Sequence, residues 1–394
     1  CNVFILHGEI HLRPIVMVSG IVQMGLPITQ IQLVSLWRPT KMMKQAGFTL
    51  IELMLALALG LVISAAAIFL FLTAQKSYSV QQGLSNVQDN ANFGLNYLTK
   101  DLRLANLNNT QSIINSTTAY GGIVLTSSVN AKQDTTVIPA IPLSNLFRTI
   151  TGSTANVNLL SRSAGATAGT APAWTGASNV QSGGADLSSD QLVMQYTPQY
   201  VLDKKGTPSE ADDTIHGGFD CEGRELVFPL QDRGDGSPFG AQVIVQRYFL
   251  REDTNKGTEP NKALSLACDA GSYSHTPNPT AIRNYGDAGE IIMSRVEYFH
   301  VLLTTQNENS TFRYVSLNDY LTLADPKPRI VAVQIGILSR STQAVGSEST
   351  IKDDQEFQVL DQTVTVKKDA NIKTKYVRQV VTQTIALRNA VAER

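Results

Sequence analysis

Lys44-Gln45-Ala46-Gly47-Phe48-Thr49-Leu50-Ile51-Glu52-Leu53 runs straight into MLALALGLVISAAAIFLFL, Met54–Leu72. Leu53–Leu72 is 20 residues without a charge. At about 1.5 Å per residue that length crosses a hydrocarbon core of about 30 Å. Leu, Ala, Ile and Met dominate the run, and a helix is the spanning state that satisfies its own backbone groups in lipid. Arg38, Lys41 and Lys44 precede the run and Lys76 follows it closely. The positive-inside rule therefore puts the N-terminus in the cytoplasm and the bulk of the chain outside. Two residues do not suit an ordinary anchor. Gly47 stands at the membrane boundary, and Glu52 stands inside the apolar run. A carboxylate in hydrocarbon costs about 2.5–3.5 kcal/mol on insertion scales, so Glu52 needs a cationic partner or must ionise less.

Upstream, residues 1–41 have no signal-peptide layout. Translation is expected to start at Met42 or Met43, leaving residues 1–41 as upstream sequence; Lys44 then sets the orientation bias alone. Downstream, Val80, Leu84, Val87, Ala91, Leu95, Leu98, Leu102 and Ala105 recur at spacings of 4, 3, 4, 4, 3, 4 and 3. That is the apolar stripe of an amphipathic helix. Gln82, Gln88, Asp89, Asn92, Asn96, Lys100 and Arg103 fill the other face, and no proline falls between Phe48 and Asn109. One helix over 48–108 is expected, with 53–72 in the membrane and its second half packed on a globular domain. Gly60, Gly83 and Gly94 are the points where it is expected to bend.

Residues 109–394 form that globular domain. Its first part, about 110–189, is rich in Ser, Thr, Gly, Ala and Asn, and is expected to be an insertion of loops and short strands with little core of its own. Strand-like runs follow at Gln191–Tyr196, Glu225–Leu230, Ala241–Arg251, Ile291–Thr305, Arg329–Arg340, Glu356–Val366 and Lys375–Arg388. Val243, Val245 and Arg247 alternate with Ile244, Gln246 and Tyr248. Period two with β-branched residues predicts an antiparallel sheet with one face on the helix, an α+β arrangement. Tyr196, Tyr248, Tyr298 and Phe299 are expected in the core. Cys221 and Cys268, a pair in an exported domain, are expected to form one disulfide.

Signals of catalysis are weak. The formal net charge is -1, so no global basic field exists to hold nucleic acid. His7, His11, His216, His275 and His300 share no ligand-like spacing. There is no G-x-S-x-G elbow and no phosphate-binding P-loop. Asp232-Arg233-Gly234-Asp235-Gly236 is oxygen-rich, but it lacks the full loop of an EF-hand and reads as a solvated turn. No catalytic residue, metal-ligand set or cofactor is assigned.

Gly47-Phe48-Thr49-Leu50-Ile51-Glu52 resembles the processing site of type IV prepilins and of type II secretion pseudopilins. The resemblance implies cleavage between Gly47 and Phe48 by prepilin peptidase and N-methylation of Phe48. It also implies that Glu52 pairs with the N-terminal amine of a neighbouring subunit. Further pieces resemble long prepilins of the PilW type. They are Asp101-Leu102-Arg103, Ser189-Asp190-Gln191-Leu192-Val193, Cys221 before Glu222-Gly223-Arg224, Val296-Glu297-Tyr298, Arg329–Arg340 and Leu387-Arg388-Asn389. That resemblance implies a minor pilin of the inner membrane and the pilus, needed to prime assembly and located at or near the tip. Its expected partners are other minor pilins, the major pilin, prepilin peptidase, the inner-membrane assembly platform, a tip adhesin, and membrane lipid along 53–72. A mature length of 347 residues (394 less 47) is large for a bulk subunit. The competing readings are a minor pseudopilin of type II secretion, a membrane-anchored periplasmic enzyme and a DNA-uptake pilin.

Overall fold

The computed structural model describes residues 47–150, 159–164, 174–206, 212–232, 238, 239, 241–255, 262–274, 279–345, 351, 352, 355–367 and 375–390. His7, His11, His275 and the Asp232–Gly236 loop, apart from the Asp232 backbone, lie outside them. The chain divides into two compact units, Cys1–Ile63 and Ser64–Arg394.

Helix α1 spans Leu50–Leu102, 53 residues. Its side chains are exposed from Leu50 through Tyr78, and this apolar part contains a span long enough to cross a membrane with none of it covered by protein. Burial starts at Gly83 and continues through Val87, Ala91, Gly94, Leu95, Leu98 and Leu102, the face that the apolar spacing marks out from Val87 onward; Val80 is half-buried and Leu84 exposed. Gly83 and Gly94 are points of close approach. A Cβ on Gly83 would lie 3.1 Å from Val377 Cγ2, and one on Gly94 would lie 2.8 Å from Met293 Cβ. The helix also stops at Leu102, short of 108. Asn106 and Asn108 adopt left-handed φ angles of 65° and 53°. Tertiary bonds then take over: Asn106 donates its backbone N–H to Gln195 O and its Nδ2 to Asn389 O.

Two antiparallel sheets receive α1. The first has the order β1-β2-β3-β4-β5: β1 (Gly122–Ile123), β2 (Leu192–Tyr196), β3 (Gln242–Glu252), β4 (Leu264–Ser274) and β5 (Glu290–Met293). The second has the order β7-β6-β8-β9: β6 (Val296–Gln306), β7 (Phe312–Ser316), β8 (Arg329–Arg340) and β9 (Arg378–Ala386). The run expected as one strand over 291–305 is thus two, β5 and β6, in different sheets. The chain changes sheet at Arg295, which has a φ of 57° and an ion pair to Asp253 at 2.6 Å. The run at Glu356–Val366 is a hairpin, Glu356–Val359 with Gln362–Val366, turning at Leu360 with φ 56°. β4 has no counterpart among the expected runs.

One core joins the second half of α1 to both sheets. Ala91, Leu95, Leu98 and Leu102 of α1 pack with Leu192, Ile244 and Leu266 of the first sheet and with Val301, Val333 and Ile335 of the second. Tyr196, Tyr248 and Phe299 belong to this same core, and Tyr298 to a smaller one. The segment after α1 is not short of core, contrary to expectation. Val124, Leu146, Phe147, Ile150, Leu159 and Leu160 cover the outer face of the first sheet, against Val193, Val243 and Val245. The outer face of the second sheet is covered by Val180 and the 356–366 hairpin. Both faces of β3 are covered, so burial along it is nearly continuous although its residues alternate between the two cores, whereas the edge strands β7 and β9 of the second sheet stay largely open.

Gly94→Ala tests the close approach. Alanine gains about 1 kcal/mol in helix propensity, while overpacking a core typically costs about 1–3 kcal/mol. The clash is with Met293 Cβ, which is tied to the backbone of β5 and cannot swing away. The expected result is a lower melting temperature for the variant; a higher one contradicts the packing.

Candidate functional site

Gly47, Phe48 and Thr49 precede the first turn of α1 and are not helical. Thr49 is the N-cap and Glu52 is the third helical residue. Thr49 donates its backbone N–H and its hydroxyl to Glu52 Oε2, at 2.9 Å and 3.0 Å. Glu52 N–H donates back to Thr49 Oγ1 at 3.3 Å. This reciprocal pair is a capping box, which satisfies donors left open at a helix start. The carboxylate also sits where the helix dipole favours negative charge. The box is legible in the sequence as Thr49-x-x-Glu52, and it satisfies the Glu52 carboxylate within the chain, a partner the apolar run alone does not suggest. Ahead of the box, Phe48 is 88% exposed and nothing lies within 4 Å of a Cβ placed on Gly47. The Gly47–Phe48 bond therefore lies in non-helical chain just before the helix start, with Phe48 exposed among the described residues.

The second unit holds the remaining predicted site residues. Cys221 and Cys268 form a disulfide with Cα atoms 6.1 Å apart. Tyr97 of α1 donates its hydroxyl to Cys221 O at 3.1 Å, which joins the helix to the bridged loop. The short pieces that carried the PilW resemblance meet in space. Asn389 Nδ2 donates to Arg103 O and Ala105 O at the end of α1. Asp101 accepts from the Tyr248 hydroxyl at 2.9 Å, and burial still pushes its carboxyl up to about 6. Glu297 pairs with Arg378 at 2.6 Å and with Arg340 at 3.5 Å, linking β6 to β9 and β8.

The two described histidines are held by carboxylates. His216 Nδ1 lies 3.1 Å from Glu225 Oε1. His300 Nδ1 and Nε2 each lie 2.7 Å from a carboxylate, Asp190 and Asp361. Burial alone would depress His300, but its bonds to these two aspartates outweigh that and push it up to about 9. Its position at the junction of β6, the lead into β2 and the 359–362 turn is that of a structural clamp.

The bridge between Cys221 and Cys268 spans 47 residues. In the chain-entropy account such a loop is worth about 4 kcal/mol. Reduction is expected to lower the melting temperature by something on the order of 10 °C. An unchanged melting temperature in dithiothreitol contradicts a stabilising bridge.

Comparison with known proteins agrees at both ends of the chain. Residues 42–68 match the Prokaryotic N-terminal methylation motif, and residues 247–389 match the family described as Type IV Pilus-assembly protein W. Among curated proteins none matches. Among solved structures, a type IV-like pilin TTHA1219 from Thermus thermophilus is 14% identical, with 49% of this chain and 85% of that chain covered and a TM-score of 0.18. A superposition at that score adds nothing to the fold described above. The family matches cover the capped start of α1 and the strands from β3 to Asn389, and over those stretches the chain is similar to the type IV pilus-assembly protein W family and carries a prokaryotic N-terminal methylation motif.

Proposed function

We propose that this chain is a minor type IV pilin that primes pilus assembly and resides at or near the pilus tip. One observation carries the reading. A methylation motif sits on a bare apolar helix whose second half is built into the core of a pilus-assembly W domain. Such a chain is a structural subunit with a membrane anchor rather than an enzyme, and its described histidines are engaged in ion pairs.

In this reading prepilin peptidase cuts between Gly47 and Phe48, and the new amine of Phe48 is methylated. Residues 53–72 hold the subunit in the inner membrane with its N-terminus cytoplasmic and its large domain in the periplasm. Glu52 then has two successive sets of partners. Before assembly, the Thr49 amide and hydroxyl satisfy its carboxylate within the subunit. In the filament, the amine of a neighbouring subunit pairs with it. A buried ammonium and a buried carboxylate compensate each other, while either one alone is expensive. Register is thereby set by charge, and adjacent minor pilins, the major pilin, the assembly platform and a tip adhesin are the partners.

A clean deletion separates this from the pseudopilus, which shares the N-terminal chemistry. Surface pili and type II exoprotein secretion are scored in the same strain. Lost pili with normal secretion is the expected outcome. Lost secretion with normal pili contradicts a pilus role.

A further inference from the structure

Three carboxylates gather beside the disulfide. Glu222 directly follows Cys221, Asp269 directly follows Cys268, and Asp287 lies in the loop leading into β5. One oxygen from each lies within 4.8 Å of the others. The cluster is built by the fold. β4 turns Cys268 into the main core and sets Asp269 opposite Arg247 of β3. β5 pairs with β4 only from Leu266 to Cys268, so the N–H of Ala270 is left for Glu222 Oε2, which accepts it at 3.1 Å.

The protein's own hydrogen bonds satisfy part of this cluster. Asp269 Oδ2 takes Arg247 Nη2 and Gly286 N–H, both at 2.9 Å. Glu222 Oε2 takes Ala270 N–H and Arg224. Asp287 Oδ1 takes Gly289 N–H at 2.8 Å. Asp269 Oδ1 is left with no hydrogen-bond partner, although Asp269 is 0% exposed. A buried carboxylate oxygen seldom goes unsatisfied, and this one belongs to a carboxylate that has an oxygen within 4.8 Å of two others. The charges do not cancel either. Among the described residues, Glu222, Asp269, Asp287 and the adjoining Asp220 are paired with two guanidiniums, Arg224 and Arg247.

We propose that Glu222, Asp269 and Asp287 bind a hard divalent cation, Ca²⁺ being the one whose chemistry fits. All ligand atoms are carboxylate oxygens, which excludes the sites that soft or imidazole-seeking metals prefer. Three oxygens within 4.8 Å of one another share a centre no more than about 2.8 Å from each, so an inward shift of a few tenths of an ångström brings all three to the roughly 2.4 Å that Ca²⁺ takes. Water completes the six to eight ligands that Ca²⁺ takes, entering on the side of the exposed Asp287. An excess of two negative charges matches the ion. Bound there, it ties the 221–224 turn, β4 and the loop before β5 together, next to the covalent tie of the disulfide.

The test is calorimetric titration of the full chain in detergent micelles, stripped with EDTA, with CaCl2. One saturable site per chain is expected, and Asp287→Asn should weaken it by about ten-fold or more. Asp287 is exposed and takes no arginine on its side chain among the described contacts, so this variant keeps the fold where Asp269→Asn could lose it. Glu222→Gln is the second variant and should weaken binding likewise. Absence of saturable binding in the unaltered chain overturns the site. So does unchanged affinity in both variants, which would move the ion elsewhere.

Discussion

A single helix has to satisfy two solvents. The first half of α1 is apolar on every side and is uncovered, which only a lipid environment or other apolar helices can accommodate. The second half presents one stripe, and that stripe is the floor on which both sheets close. Neither requirement can be relaxed without losing the other, because the same backbone carries both. Hence the absence of proline from 48 to 109, and hence the glycines. At Gly83 and Gly94 the sheet side of the molecule comes within van der Waals contact of the helix backbone itself. Local turn bonds close the last helical carbonyls, and β2 and Asn389 then take up the backbone groups of Arg103, Ala105 and Asn106 just beyond the helix end.

Charge is placed with the same economy of means. Glu52 enters an apolar run, yet its carboxylate has two donors from Thr49 at the helix start. In the globular unit most buried charges come in sets bridging different elements: Glu297 with Arg340 and Arg378, His300 with Asp190 and Asp361, Arg295 with Asp253. Such pairs add modest stability but are severe when broken, so they specify which strand lies beside which. The acidic cluster of Glu222, Asp269 and Asp287 is the set that remains unbalanced.

Much of this was legible because the relevant signals are local. The apolar run, its flanking charges and Gly47 through Glu52 lie within thirty or so residues, and the spacing of the stripe fixed which face of α1 is buried. β3 and β8 announced themselves through β-branched alternation. β4 did not: LSLACDAGSYS has small residues and no β-branched one, and it is a strand because β3 pairs with it along its whole length. The segment from 110 to 189 misled for a related reason. Its few apolar residues are scattered, and only the fold brings Val124, Leu146 and Phe147 together over the first sheet. Close approach at Gly83 and Gly94 depends on residues some two hundred or more positions away, Met293 and Val377. The carboxylates at 222, 269 and 287 are likewise joined only by the disulfide and the strand register.

The central claim is that Gly47–Phe48 is a processing site ahead of a helix that must act first as an anchor and then as a filament strut. Intact-mass and N-terminal peptide analysis of the chain recovered from membranes of a strain with an active prepilin peptidase tests it directly. The account predicts a mature chain that starts at Phe48 and carries one methyl group on its α-amine. A mature chain that retains Gly47, or one that begins at any residue within α1, contradicts it.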